Sequence, residues 1–253
     1  MDRAKALALG DIFNELDHDA SILEVGFGDG SFLKSLVAAG YSVTGTEISE
    51  SMVKWAGAEI ENATVVVADD PKITESEFDA VCCFEVLEHV EEPIALAAQF
   101  RANKLYASVP NPGRWYPAIT GKYEYWDYPP NHLWRFCCCE PLGPDYHDTS
   151  CNNPNRPNKN DQPKSMSIRW VLHQAGFEEV SIQGTAIDRD DILRVVPIKR
   201  VSSDYDNMRP KGENRGLVSL AKTILSPATF SIARGLSIAG FRGVSYYIRA
   251  QRR

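Results

Sequence analysis

The chain has 253 residues, of which 43% are hydrophobic and 24% charged. This length can bury a sizeable core, and we expect a single domain over 1–253 with insertions rather than two equal domains. The formal net charge of −7 argues against a general nucleic-acid binder, which would present a basic surface to phosphates. No uncharged apolar run reaches the length of about eighteen residues that predicts a transmembrane helix.

The first predicted element is an amphipathic helix over residues 2–16. Its polar positions, among them Asp2, Arg3 and Lys5, are not those of a secretory signal. We expect the helix to pack across a sheet or to cover a bound ligand with its apolar residues Ala4, Leu7, Leu9, Ile12, Phe13 and Leu16.

A glycine-rich turn follows, in the segment Ile22-Leu-Glu-Val-Gly-Phe-Gly-Asp-Gly-Ser31. A short apolar strand over 21–25 runs into glycines at alternate positions, and helical periodicity resumes at Phe32. Glycines allow a sharp bend and close approach to a ligand, and the helix N-terminus suits an anionic or carboxylate-bearing group. The dinucleotide fingerprint G-x-G-x-x-G would need glycine at 31, so Ser31 argues against a nicotinamide-dependent oxidoreductase.

Strands and helices then alternate along the chain. Further strands are predicted at 41–46, ending at Glu47, and at 64–67, 78–84, 104–109, 178–183 and 243–249. Ser49 is a predicted helix cap, and Pro93 fits the first turn of another helix. This alternation predicts an α/β fold with a mostly parallel sheet and helices on both faces.

The spacing Glu24-x-Gly26-x-Gly28-x-Gly30 resembles motif I of the class I S-adenosylmethionine-dependent methyltransferases. The resemblance implies a Rossmann-like, seven-stranded sheet whose last strand is antiparallel. It also implies S-adenosyl-L-methionine as cofactor, with Glu24 and the glycines at its methionine portion, Glu47 at the ribose and Asp69 at the adenine amino group. Ile48 and Phe84, where the second and fourth strands end, complete the implied cofactor set.

A second constellation follows the fourth strand. On a helical turn, Glu85, Glu88 and His89 would share one face, and the loop after the fifth strand brings His132 to the same edge of the sheet. Carboxylates with imidazoles suit Mg, Mn, Fe or Zn. The segment resembles the metal site of methyltransferases that modify the 2′-hydroxyl at small-RNA 3′ ends, and also the quinone-biosynthesis O-methyltransferases. Two alternatives remain open: His89 or His132 acting as a base without metal, and a purely structural role.

The segment between the fifth and sixth strands has no regular period from 123 to 136. Its aromatic residues wall an acceptor pocket or pack beneath a loop: Trp115, Tyr123, Tyr125, Trp126, Tyr128 and Trp134. Residues 137–165 are expected to form an irregular insertion, and 188–242 a helical insertion or lid. The six cysteines lack zinc-site spacing, although a cluster of 137–139 with His147 or Cys151 is an alternative. They indicate reduced thiols and a cytoplasmic location.

Charge is unevenly distributed. The stretch from Arg194 to the end carries 12 Lys/Arg and 3 Asp/Glu, a formal charge of +9, against −16 for the remainder. The basic stretch is expected to be a solvated surface, with weak contact to an anionic membrane as the alternative. Together these features predict an S-adenosylmethionine-dependent enzyme that methylates a hydroxyl oxygen of a small molecule or glycan. The rival hypotheses are a non-catalytic cofactor-binding protein, an RNA 3′-end 2′-O-methyltransferase and an oxidoreductase; the oligomeric state stays open.

Overall fold

A computed structural model describes residues 3–111, 132–137, 164–185 and 245–252. The strands are β1 (Ser21–Val25), β2 (Ser42–Glu47), β3 (Ala63–Val67), β4 (Phe78–Phe84), β5 (Ala102–Pro110), β6 (Trp134–Cys137), β7 (Lys164–Ser167), β8 (Glu179–Gly184) and β9 (Ser245–Gln251). The helices are α1 (Arg3–Glu15), α2 (Ser31–Ala38), α3 (Glu50–Glu59), α4 (Pro71–Glu75), α5 (Pro93–Ala98) and α6 (Ile168–Gln174).

Seven of the strands form one sheet in the order β3-β2-β1-β4-β5-β9-β8. Strands β1 to β5 pair in parallel, and β9 lies antiparallel between β5 and β8. The predicted seven-stranded sheet with an antiparallel last strand is therefore confirmed. Strands β6 and β7 pair separately as a small parallel ribbon.

The sheet is covered by apolar side chains on both faces, as a parallel sheet requires. Because side chains alternate along a strand, Leu23 and Val81 belong to one core and Ile22 and Ala80 to the other. Helix α6 packs into the first core, and α1 and α2 pack into the second.

Local capping sets several helix ends as predicted. The Ser49 hydroxyl accepts the Met52 N–H at the start of α3. Gly40, with φ 95°, follows α2 and directs its N–H to the Val37 carbonyl, while Tyr41 N–H reaches Leu36 O, which is a Schellman C-cap.

Helix α1 packs against the sheet as predicted, but not every apolar residue of the predicted face is buried. It buries Ala4, Ala8, Leu9 and Ile12, whereas Leu7 is 39% exposed and Phe13 50% exposed. The two alanines lie beside Leu9 and Ile12 in the contact surface, and their small side chains allow the helix to lie close to the sheet. Two tyrosine hydroxyls on the sheet attach its C-terminal half: Tyr247 donates to Asp11 at 2.7 Å and Tyr106 to Glu15 at 3.0 Å.

The middle of the chain contains more regular structure than the sequence predicted. Residues 134–137 form β6, although no strand period was found there, and residues 164–167 form β7, which begins within the last two residues of the expected irregular insertion. The rest of the two insertions, 138–163 and 188–242, lies outside the described residues. Among the described residues, no helix has both the length and the apolar character needed to cross a membrane.

Candidate active site

The glycine turn joins β1 to α2 at the carboxyl edge of the sheet. The N–H groups of Gly26 and Phe27 donate to the Thr46 carbonyl, at 2.8 and 3.2 Å, which holds the turn against β2. A Cβ on Gly26 would lie 2.6 Å from Val86 Cγ2, whereas a Cβ on Gly28 would meet no atom within 4 Å. Gly26 is thus required by internal packing, and Gly28 presents bare backbone to open space, where a ligand can approach.

Glu47 lies beside this turn, at the end of β2. Its Oε2 accepts the Gly28 N–H at 3.1 Å, and its Oε1 accepts the Ile48 N–H at 2.8 Å. Ile48 is 86% exposed, which is unusual for a large apolar side chain, and Asp69 is exposed just after β3. The residues assigned to ribose and adenine therefore follow the ends of adjacent strands, on the edge that carries the turn. Their roles remain predictions.

Glu24 points into the protein and is fully buried. The Nζ of Lys5, on α1, lies 3.4 Å from Glu24 Oε1, and it also lies 5.8 Å from the Phe32 ring centroid and 5.6 Å from that of Phe84. A buried carboxylate needs such a counter-charge. This ion pair was not predicted, because the two residues are 19 positions apart and no local pattern distinguishes Lys5 from a solvated helix lysine.

Asp29, in the turn, is hydrogen-bonded locally. Partial burial raises the pKa of Asp29, but hydrogen bonds from Ser31 and the positive charge of Lys5 outweigh it, so the pKa is lowered overall. The Asp29 Oδ1 accepts the Ser31 N–H at 3.0 Å and so supports the start of α2. This carboxylate is therefore ionised at neutral pH and stabilises the turn.

A second group of side chains forms at the end of β4. Leu87–His89 make one turn of 3-10 helix, and His132, which follows β5 in the chain, lies beside it. One ligand atom from each of Glu88, His89 and His132 lies within 4.8 Å of the others. The two imidazole rings are 4.8 Å apart between centroids, at 70° to each other.

Two hydrogen bonds hold the His132 segment in this position. The Leu133 N–H donates to the Glu88 carbonyl at 2.8 Å, and the Trp134 indole N–H donates to the Val90 carbonyl at 2.9 Å. The Trp134 side chain therefore helps to fix this segment through its indole N–H, and it also packs against the core. The other five aromatic residues proposed for the acceptor pocket lie outside the described residues.

The Glu88 carboxyl group has a strongly raised pKa. Burial, and then the charge of Glu85, raise its pKa well above the usual value. Its carboxylate is fully buried, lies 3.7 Å from His89 Nε2, and accepts no hydrogen bond from the residues that the structure describes. A carboxylate in this state is destabilised and would be stabilised by a cation.

Glu85 does not share a helical face with Glu88 and His89, contrary to the prediction. Its backbone is left-handed, with φ 54°, so the helical spacing assumed for 85, 88 and 89 does not apply. The Glu85 Oε1 instead accepts the Ser108 hydroxyl at 2.7 Å. The three-residue group above therefore forms without Glu85.

Two of the six cysteines can be described fully. Cys82 and Cys83 are free thiols, completely buried in β4, and burial raises the pKa of both. Neither is a reactive thiolate. The proposed cluster around 137–139, His147 and Cys151 lies outside the residues whose side chains are described.

Comparison with known proteins agrees with this fold. Residues 1–182 match the family model described as "Methyltransferase domain". A curated relative, the ubiquinone biosynthesis O-methyltransferase of Bordetella parapertussis, is 31% identical over 101 residues, which are 37% of this chain and 39% of the relative. The matching segments thus span about two-fifths of the length of the curated relatives.

Solved structures share the fold at low sequence identity. An S-adenosylmethionine-dependent methyltransferase from Archaeoglobus fulgidus aligns with a TM-score of 0.50 and 16% identity, covering 98% of this chain and 94% of that one. Haemonchus contortus phosphoethanolamine N-methyltransferase 2, in complex with S-adenosylmethionine, gives 0.50 and 14%, covering 97% and 51%. From the family match over most of its length and from its strand order, the chain belongs to the methyltransferase-domain family, in the class I, S-adenosylmethionine-dependent type.

Proposed function

We propose that the chain transfers the methyl group of S-adenosylmethionine to a hydroxyl oxygen of a small molecule or glycan, with help from a divalent metal ion. The observation that carries this proposal is the meeting of Glu88, His89 and His132 directly beside the glycine turn. Val86 contacts Gly26 and starts the 3-10 turn, so the group and the cofactor turn are neighbours.

The residues of the group fit a metal ion. Two ligand atoms that are each about 2.1 Å from one ion can be at most about 4.2 Å apart. The three ligand atoms now lie within 4.8 Å of one another, so side-chain movements of less than about 1 Å would bring them to coordination distance. One carboxylate with two imidazoles is a donor set that suits Zn, Fe or Mn. The buried, poorly solvated Glu88 carboxylate supplies the negative charge that would favour the ion.

A metal ion at this position would favour a hydroxyl group as the methyl acceptor. A hydroxyl must lose its proton to attack a sulfonium methyl, and a bound metal would lower the pKa of that hydroxyl. With a metal bound, that proton would pass to solvent, because a ligated imidazole cannot accept it; in the metal-free variant His89, with 46% of its side chain accessible, would accept it. The protein's own contribution is to hold the acceptor oxygen in line with the methyl group, which can supply about 7–11 kcal/mol of the barrier.

The oxygen acceptor is also supported by the curated relatives, whose names specify O-methyltransferases. That similarity covers only part of either chain, so the acceptor itself has to be found by experiment. A metal-free variant of the proposal uses His89 or His132 as the base. A hydroxyl at an RNA 3′ end would suit the same chemistry, but the acidic body of the chain disfavours it.

The test is a thermal-shift screen with S-adenosylhomocysteine, with EDTA or with Mg, Mn, Fe or Zn salts. We expect stabilisation by the nucleoside and a further, EDTA-reversible stabilisation by at least one metal. Labelled S-adenosylmethionine and a panel of catechols, vicinal diols and glycans then identify the acceptor. Nucleoside binding without any metal effect would favour the metal-free variant, and nucleoside binding without methylation of any acceptor would favour a non-catalytic protein.

A further inference from the structure

Val86 contacts both parts of the candidate site. A Cβ built on Gly26 would lie 2.6 Å from Val86 Cγ2, so this methyl group fills the space beside the bare backbone of the glycine turn. The Val86 carbonyl accepts the His89 N–H at 3.0 Å and so closes the turn of 3-10 helix at Leu87–His89. We infer that Val86 is a positioning residue, through which cofactor binding at the glycine turn and metal binding at the neighbouring group strengthen each other.

The metal group consists of Glu88, His89 and His132, and all three are joined to the turn that follows Val86. Glu88 and His89 belong to that turn. The Leu133 N–H donates to the Glu88 carbonyl at 2.8 Å, and the His132 ring lies 4.8 Å from the His89 ring between centroids. A displacement of Val86 would therefore be passed on to all three ligand groups.

Other contacts also hold this turn, so Val86 is not required for either site to form. Leu87 is fully buried in the core, and the Glu85 N–H donates to the Ser108 carbonyl at 2.9 Å. What Val86 adds is a contact that the two sites share, because its side chain touches one and its carbonyl holds the other. Without that side chain, each site should keep its own affinity and lose the influence of its neighbour.

The coupling should be favourable in both directions. The ligand atoms of the metal group lie within 4.8 Å of one another, and an ion requires them to come closer. A nucleoside on the glycine turn would hold that backbone and the Val86 side chain packed on it, so that less freedom remains for an ion to remove. By thermodynamic linkage, the ion must raise the affinity for the nucleoside by the same factor, and such factors are typically about 5–150-fold.

This inference rests on the metal role proposed above, and its test measures coupling rather than activity. Mn²⁺ affinity of the full chain is measured from the free-ion EPR signal, with and without saturating S-adenosylhomocysteine. S-adenosylhomocysteine affinity is measured by calorimetry in EDTA and in saturating Mn²⁺. We expect each ligand to raise the affinity for the other by at least about fivefold in wild type, with the same factor from both measurements.

Variants at position 86 test whether this residue carries the coupling. Val86→Ala should reduce the factor to below about twofold, while each ligand measured alone binds within about threefold of wild type. Val86→Thr, which keeps the branched shape, should retain the coupling. Val180→Ala is the matched control and should also retain it, because it truncates another partly buried valine that packs against the same core, on β8 at the edge of the sheet.

The outcomes separate this inference from the proposed function. If wild type binds no Mn²⁺, the metal role fails and the role of Val86 fails with it. If wild type binds both ligands independently, or if Val86→Ala keeps the full coupling, the role of Val86 alone is refuted. Loss of the coupling in Val86→Thr or Val180→Ala, or strong weakening of each ligand alone in Val86→Ala, would show a structural role only and would also overturn the inference.

A double-mutant cycle with Gly26 tests the contact itself, without any ligand. Gly26→Ala places a Cβ 2.6 Å from Val86 Cγ2; with Val86→Ala that atom is gone and Val86 Cβ lies 3.9 Å away, an ordinary van der Waals contact. The Tm loss of the double variant in EDTA should therefore be smaller than the sum of the single losses by at least about 2 °C. Additive losses would overturn the inference, and this measurement still applies where a variant is too unstable for titration.

Discussion

Replacing Gly28 by alanine separates the cost to the fold from the cost to cofactor binding. Gly28 has φ 56°, and a Cβ there would meet no atom within 4 Å. The expected cost to stability is therefore only that of left-handed backbone, about 1–2 kcal/mol. In a chain of this size that lowers Tm by about 2–8 °C.

The cost to binding should be larger, because the open side of Gly28 is the side on which the cofactor is expected. A methyl group there would hold the nucleoside away from the backbone and from Glu47, whose Oε2 contacts Gly28 N. We expect S-adenosylhomocysteine affinity to fall at least tenfold, equivalent to about 1.4 kcal/mol.

Gly40→Ala is the matched control. Gly40 also has a positive φ, 95°, and open space around the position of a Cβ, but it lies at the C-terminal end of α2, away from the turn. Both variants should lose stability, and only Gly28→Ala should lose affinity in isothermal titration. If the two variants bind S-adenosylhomocysteine equally well, the turn is not the cofactor cradle.

Three further predictions concern other parts of the molecule. The pKa of Glu88 is raised in the folded state. The folded protein is therefore most stable at pH values below the unfolded-state pKa, where Glu88 is protonated in both states, and it loses this stability as the pH rises towards the folded-state pKa. Glu88→Gln should therefore stabilise the EDTA-treated protein at pH 8 more than at pH 5, in urea unfolding; the reverse order would contradict the burial of an unpaired charge. His132→Ala should abolish or greatly weaken Mn²⁺ binding and methyl transfer while leaving S-adenosylhomocysteine affinity within about threefold, and surviving turnover would remove His132 from the site. Tyr247→Phe should cost about 1.5–3 kcal/mol of unfolding free energy, because it removes a hydrogen bond to the Asp11 carboxylate; no change would mean that this hydrogen bond does not help to hold α1.

The central sheet could be predicted because its signals are local. β1 and β4 have the predicted bounds, since each is an apolar run that ends at a turn or at charged residues. The helix caps at Ser49 and Gly40 are likewise short-range patterns. Strand boundaries elsewhere shifted by one or two residues, which is the usual uncertainty of end positions.

Features that depend on distant partners were missed. β6 forms only because residues 164–167 pair with it, and the stretch has no strand period of its own. The exposure of Leu7 and Phe13 on α1 was not predicted, because an apolar pattern does not show that Ala8 takes part in the contact surface. Lys5 pairs with Glu24, a contact that no local sequence pattern could indicate.

The candidate site shows the same division. The residues predicted to bind the cofactor lie at or after strand ends, and topology alone brings strand ends together. The relative positions of the side chains at 85–89 depend on the backbone conformation between them. Because the backbone of Glu85 is left-handed, its side chain contacts Ser108 on β5, and only Glu88 and His89 lie beside His132. Glu88 and His89 do lie together, as predicted, but they lie on a turn of 3-10 helix, and the α-helical spacing from Glu85 on which the prediction was based does not exist.

The two halves of the site are linked through Val86. Because Gly26 lacks a Cβ, the side chain of Val86 can lie against the glycine turn, and the next residue begins the 3-10 turn that carries Glu88 and His89. The candidate group of Glu88, His89 and His132 is therefore linked to the glycine turn by direct packing as well as through the sheet. A methyl donor and an acceptor oxygen must be aligned within a few tenths of an ångström for transfer. In the proposed function, the packing of Val86 against Gly26 would contribute to that alignment, in addition to the role of Gly26 in the turn.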